Sequence, residues 1–161
     1  MFRESRKPRQ ALSSEEIEQI LSRNTAGVLA VSGDEGYPYA VPLSYVYLNG
    51  KIYFHGSKVG HKIDSLLRSD KVSFCVIDQD KIMGAEYTTY FRSVVAFGRA
   101  RLLEGEEKLI PLVQLCEKYW PGHLDVTEPK AAAALERVGL IELTMEHVTG
   151  KQAVELVKSE T

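Results

Sequence analysis

Apolar and polar positions alternate over long stretches of this chain and follow helical spacing over only a few, which predicts a mainly β protein with a few helices. Ser13-Ser14-Glu15-Glu16 reads as a capping box. The Ser13 hydroxyl accepts from the Glu16 N–H, the Glu16 carboxylate reaches back, and Ile17, Ile20 and Leu21 form one apolar face of a helix ending near Asn24. Residues 27–32 predict a short strand closed by Gly33-Asp34-Glu35-Gly36, whose residue types favour turns. Two strands, 39–48 and 51–55, flank Asn49-Gly50. That dipeptide favours a type I′ turn, so the segment predicts a β-hairpin. A helix over 62–68 leads to a β-branched strand over 71–78 and a longer one over 88–103, bent or bulged at Gly98. The polar stretch 79–87 between them reads as a loop of low order over the site.

Residues 105–120 carry helical apolar spacing at Leu109, Leu112, Val113 and Cys116, with Pro111 expected to kink or restart the helix. Pro121-Gly122-His123 breaks it, residues 130–137 resume a helix, 139–145 return to a strand, and the tail from His147 ends polar. No βαβ alternation is present, and neither is a GxGxxG or GxxxxGK[ST] loop. The simplest nicotinamide-dehydrogenase and NTPase readings therefore fall away. About six strands interrupted by turns favour a small antiparallel barrel with flanking helices over a doubly wound sheet.

Composition bounds the function. A chain of 161 residues suits one domain, with residues 1–12 as a flexible arm. Its 20 basic and 22 acidic residues give a formal charge of −2 with no basic stripe, which argues against nucleic acid as a partner. No apolar run approaches the roughly 20 residues that cross a bilayer, and the N-terminus lacks the apolar stretch of a signal peptide. A cytoplasmic protein off the membrane is the expectation. Cys75 and Cys116 have no CxxC spacing and read as reduced core thiols. His55, His61, His123 and His147 lack i, i+4 spacing, so no metal is expected. The alternating Tyr37, Tyr39, Tyr45, Tyr47 and Tyr53 read mainly as cross-strand packing, and Trp120 as an anchor at a helix end.

The stretch after the hairpin concentrates candidate chemistry. Ser57, Lys58, Gly60, His61 and Lys62 run into a helix start, where backbone N–H groups and cationic side chains can converge on one anion. A phosphate monoester fits that chemistry. His55, at the strand end just before, is on its own read most plainly as a histidine satisfied by backbone hydrogen bonds.

Pro38 through Asp78, followed by Tyr90-Phe91-Arg92-Ser93-Val94-Val95 and the residues to Lys108, resembles the FMN-binding split barrel of the pyridoxamine 5′-phosphate oxidase-like superfamily, closest to its nitroimidazole-resistance branch. The resemblance covers roughly residues 27–108 and, more weakly, 146–151. It implies a six-stranded antiparallel split β-barrel and a homodimer with a flavin at each interface. By position it implies that Val41, Pro42, Leu43 and Ser44 run under the flavin ring, that Phe54 and His55 lie beside it, that Ser57, His61 and Lys62 hold the phosphate, and that Ser93 adds a polar contact. Oxidases of the superfamily place Arg-Lys where this chain has His61-Lys62, and Lys58 compensates for the lost permanent charge.

The resemblance also implies a function. His55 becomes the catalytic candidate, because nitro-group reduction needs a proton with the electrons and an imidazole titrates near neutrality. The cofactor is FMN, with FAD an alternative and a nicotinamide a plausible donor. The substrate is a small flat acceptor such as a 5-nitroimidazole. Oxidases of pyridoxamine phosphate carry a tryptophan and an arginine near the C-terminus, and this chain ends without them, which argues against vitamin B6 oxidation. Three rivals stay open: an oxidase or flavin reductase, a flavin or haem carrier or sensor with His55 as ligand, and an empty barrel that pairs with another protein.

Overall fold

One break in a strand, at Tyr45, decides how the sheet is laid out in the computed structural model, which describes residues 2, 3 and 5–157. Tyr45 is wholly buried and donates its hydroxyl to the Leu21 carbonyl (2.7 Å), while its N–H turns to the Tyr119 hydroxyl (3.0 Å). The expected strand 39–48 therefore divides into β2 (Pro38–Ser44) and β3 (Val46–Leu48). β2 pairs with β1 (Ala26–Ser32), and β3 with β4 (Lys51–Gly56) across the Asn49-Gly50 turn. Both turn residues have positive φ, 50° and 77°, as a primed turn requires.

The remaining strands are β5 (Lys71–Met83), β6 (Thr88–Leu102) and β7 (Gly139–Gln152). All pairings are antiparallel, in one sheet of seven strands ordered β2-β1-β5-β6-β7-β4-β3. The mainly β antiparallel expectation holds, with seven strands in place of six and a sheet that hydrogen bonds do not close. It curls enough to bring edge strand β2 against β4.

Two strands run further than their sequence patterns suggest. Residues 79–83, expected as loop, continue β5 and pair with residues 88–92 of β6, leaving only the turn Gly84–Glu86 and Tyr87 between them. The polar run has no β signal of its own and takes its ladder from the aromatic start of β6. β7 likewise extends to Gln152, and its Lys151 pairs with Ser93. Gly98 sits at a register shift as expected. A Cβ there would lie 2.0 Å from the Thr144 carbonyl oxygen, so glycine alone fits the bulge.

Among the described residues four helices cover the sheet: α1 (Ser14–Arg23), α2 (His61–Arg68), α3 (Leu109–Tyr119) and α4 (Leu124–Ala134). α3 follows the turn Gly105–Lys108 and carries Pro111 in its first turn, where the missing N–H costs nothing. α4 begins six residues earlier than the 130–137 expectation and absorbs Pro129. α1 is closed by the expected capping box, Glu16 N–H to Ser13 Oγ at 3.2 Å and Ser13 N–H to Glu16 Oε2 at 2.8 Å. Ser13→Ala should cost about 1 kcal/mol and lower the melting temperature by roughly 2–4 °C. An unchanged melting curve would show that α1 does not depend on this cap.

Ahead of α1, the expected arm of residues 1–12, of which Met1 and Glu4 lie outside the described residues, includes a turn at Pro8–Gln10 and a bridge from Ala11 to Lys151, and Leu12 is buried. Residues 158–161 of the expected polar tail also lie outside the described residues. One apolar cluster gathers Leu21, Leu29, Tyr45, Phe54, Phe74 and Leu143, and a second places Tyr53, Leu112, Leu115, Leu135 and Leu140 under α3 and α4. None of the described helices is long and apolar enough to cross a membrane.

Candidate functional site

Side chains alternate along β4, and that alternation aims His55. Ile52 and Phe54 enter the first apolar cluster, whereas Tyr53 enters the second, beside α3. His55 follows Tyr53 on the same face and opens into a cavity of about 250 Å³ lined with Ser44, Leu112, Leu115, Cys116 and Tyr119. Four of those residues come from α3 at positions 112, 115, 116 and 119, the i, i+3, i+4, i+7 stripe of one helix face. Among the described residues, neither the Ser44 hydroxyl nor the His55 imidazole has a hydrogen-bond partner.

α3 is fixed over this cavity by its last turn. The Tyr119 hydroxyl accepts from the Tyr45 N–H (3.0 Å) and donates to the Thr25 carbonyl. The Lys118 ammonium donates to the Asn24 carbonyl (2.5 Å) and lies 4.2 Å from the centre of the Tyr45 ring. Burial pushes that ammonium's pKa down to about 8. These contacts tie α3 to the C-terminal end of α1, where exposed carbonyls favour a cation.

The turn after β4 spreads its cations rather than gathering all of them. Gly60, whose φ of 116° favours glycine, precedes α2 as its N-cap, and no side chain caps the helix's first N–H groups. Lys62 folds back over the end of β4, its Nζ 3.4 Å from where a Gly56 Cβ would stand. Ser57 Oγ accepts from the Val59 N–H (3.2 Å). The His61 ring instead stacks on Tyr39 (4.2 Å between centres), with Nε2 3.5 Å from Asp34 Oδ2. Asp34 also takes Arg68 at 2.7 Å. Lys58 turns the other way and donates to the Glu136 carbonyl, on the rim of a separate cavity of about 390 Å³ shared with the buried Lys108.

The other candidate residues divide between core, edge and the far end of the sheet. On β2, Val41 and Leu43 pack against the core while Pro42 and Ser44 face out, on an edge strand whose second backbone edge is open. Phe54 is wholly buried with its ring edge-on to Phe74 (5.0 Å), so its side chain is core. Ser93 pairs with Ile77 and Lys151, whereas His55 pairs with Leu140. Residues 140 and 151 are up to about 36 Å apart along β7 at roughly 3.3 Å per residue. Along β7, then, His55 and Ser93 lie at opposite ends, whereas across β1 and β5 Ser93 is level with Ser44, three strands away. His123 stacks on Trp120 (3.8 Å) and His147 on Phe2 (4.6 Å), far from a shared cluster. The sequence reading assigned none of the four α3 residues, Leu112, Leu115, Cys116 and Tyr119, to the site; their helical spacing was the signal that held them.

The family model described as pyridoxamine 5′-phosphate oxidase matches residues 13–152. A structure described as that of a candidate 5-nitroimidazole antibiotic resistance protein from Bacteroides thetaiotaomicron is 25% identical, with a TM-score of 0.74 over 88% of this chain and 86% of that one. A FAD-binding protein from Mesorhizobium loti is 28% identical, with a TM-score of 0.66 over 89% and 97%. A flavocytochrome from Azotobacter vinelandii, 22% identical, shares the fold with a TM-score of 0.79 over 93% and 72%. No curated protein matches the sequence.

Proposed function

This chain belongs to the pyridoxamine 5′-phosphate oxidase family, the match running through all seven strands, and from that premise we propose that it is a flavin-dependent oxidoreductase reducing a small planar acceptor. The observation that carries this reading is the pairing of an unpartnered His55 in an apolar cavity with a cationic, uncapped helix start directly after it.

The chain's own groups fit a flavin mononucleotide. The free N–H groups at the start of α2 and the Lys62 ammonium suit a phosphate, since aligned backbone dipoles and a cation act on the same anion. The open edge of β2 offers unpaired backbone donors and acceptors to a flat polar heterocycle, with Pro42 and Ser44 on its outer face. His61 is held by Tyr39 and Asp34 and serves the cradle by bracing the turn. The flavin-binding relative from Mesorhizobium loti supports this cofactor class.

When bound and reduced, a flavin supplies two electrons. Taking a nitro group to a nitroso group uses two electrons and two protons and releases water. His55 holds a proton in the cavity, gives it to the acceptor oxygen and regains one from solvent. Its exposed edge permits that exchange. The likeness to the Bacteroides thetaiotaomicron protein supports a 5-nitroimidazole as the acceptor. A nicotinamide is the donor we propose. A homodimer is part of this proposal, with a second copy lying against the open edge of β2.

Anaerobic mixing of the FMN-loaded, dithionite-reduced protein with 2-methyl-5-nitroimidazole tests the activity. The flavin band should return as the nitro absorbance falls. Reoxidation by oxygen alone, with the nitro compound untouched, would replace this reading with an oxidase.

A further inference from the structure

We infer that the cavity between β4 and α3 is the acceptor's binding site, that it takes an uncharged single planar ring with a hydrogen-bond-accepting substituent, and that Cys116 sets its size. This rests on the oxidoreductase reading above and adds the substrate class. At about 250 Å³ the cavity falls below the roughly 300–1,000 Å³ of sites that hold drug-sized ligands. One ring fills that volume, whereas a three-ring flavin with its phosphate chain would extend out through the open mouth.

The lining selects the chemistry of that ring. Among the described residues no lysine, arginine, aspartate or glutamate borders the cavity, so a phosphorylated or otherwise ionic substrate would lose its water without gaining a partner. Leu112 and Leu115 supply apolar walls. Tyr119 presents its ring, because its hydroxyl is already used by Tyr45 and Thr25. The groups left for a ligand are the Ser44 hydroxyl and the His55 imidazole, at the β-strand side. A nitro or carbonyl oxygen pointing there meets the one group able to hand it a proton. Cys116 stands on the helical wall between Leu112 and Tyr119 on one face of α3, half-buried and bordering the cavity, so a larger side chain there takes up cavity space.

The test uses FMN-loaded protein and two acceptors, 2-methyl-5-nitroimidazole and the two-ring 1-nitronaphthalene. Cys116→Trp should leave FMN affinity within about twofold and lower kcat/KM for the nitroimidazole at least tenfold, the scale of a filled pocket. Cys116→Ala should raise the ratio of two-ring to one-ring kcat/KM several-fold, and decides the matter if the tryptophan variant does not fold. Titrating the ¹⁵N-labelled protein with the nitroimidazole reads occupancy without turnover, through amide shifts at residues 112–119. Shifts there without any reduction would leave the cavity standing and sink the oxidoreductase reading. A folded Cys116→Trp protein with undiminished nitroimidazole turnover, a folded one that has lost FMN, or reduction without shifts at α3 would each overturn the inference.

Discussion

Replacing His55 with alanine is expected to leave the flavin bound and to cut nitroaromatic turnover by about 10²- to 10⁴-fold, the usual worth of a positioned proton donor. His55 stands at the end of β4 on the cavity face of the strand, its imidazole without a hydrogen-bond partner among the described residues, so truncating the side chain disturbs no network. The neighbouring Phe54 keeps the strand in place from the core side. The loss should therefore fall on kcat, with the melting temperature and FMN affinity near their parent values. A His55→Ala protein that reduces the acceptor at the parent rate would make this residue part of the scaffold. A protein that loses its flavin would make it a cofactor ligand.

Lys62→Ala should weaken FMN binding by about 10- to 100-fold, corresponding to the roughly 1.5–3 kcal/mol of a hydrogen bond to a charged group. Two lysines and a histidine follow β4, and the geometry separates their roles. Lys58 is drawn to the Glu136 carbonyl and His61 to Tyr39 and Asp34, which leaves Lys62 beside the uncapped start of α2. Lys58→Ala should accordingly change FMN affinity much less. Isothermal titration at two salt concentrations checks both, since a contact to phosphate weakens as salt rises. Equal losses from the two substitutions would mean that Lys58 swings back to the phosphate. No loss from either would reject the turn as its cradle.

How far the sequence carries this picture depends on the range of the forces involved. The capping box at Ser13, the primed turn at Asn49-Gly50 and the bulge at Gly98 are set by neighbours a few residues away, and each stands where its pattern predicts. His55 and Ser44 became candidates only through the family resemblance, since His55 on its own reads as a strand-end histidine. The break at Tyr45 was not legible, because it depends on Leu21 and Tyr119, which are 24 and 74 residues away. A run of alternating tyrosines looks like one strand until those partners are known. Residues 79–83 form a strand only because β6 offers a ladder, which no local propensity announces. The helix face that completes the cavity showed its spacing plainly, but spacing reads first as core packing, and Leu112 and Leu115 are indeed buried. Lys58 and His61 illustrate the opposite case: a cluster in sequence whose side chains diverge once Glu136 and Asp34 are in reach.

The most direct test of flavin binding is the visible absorption spectrum of the purified protein after FMN is added and the excess removed by gel filtration. The account predicts a flavin band that co-elutes with a dimer at about one flavin per chain. A protein that remains colourless through that procedure, folded and dimeric or not, would contradict it.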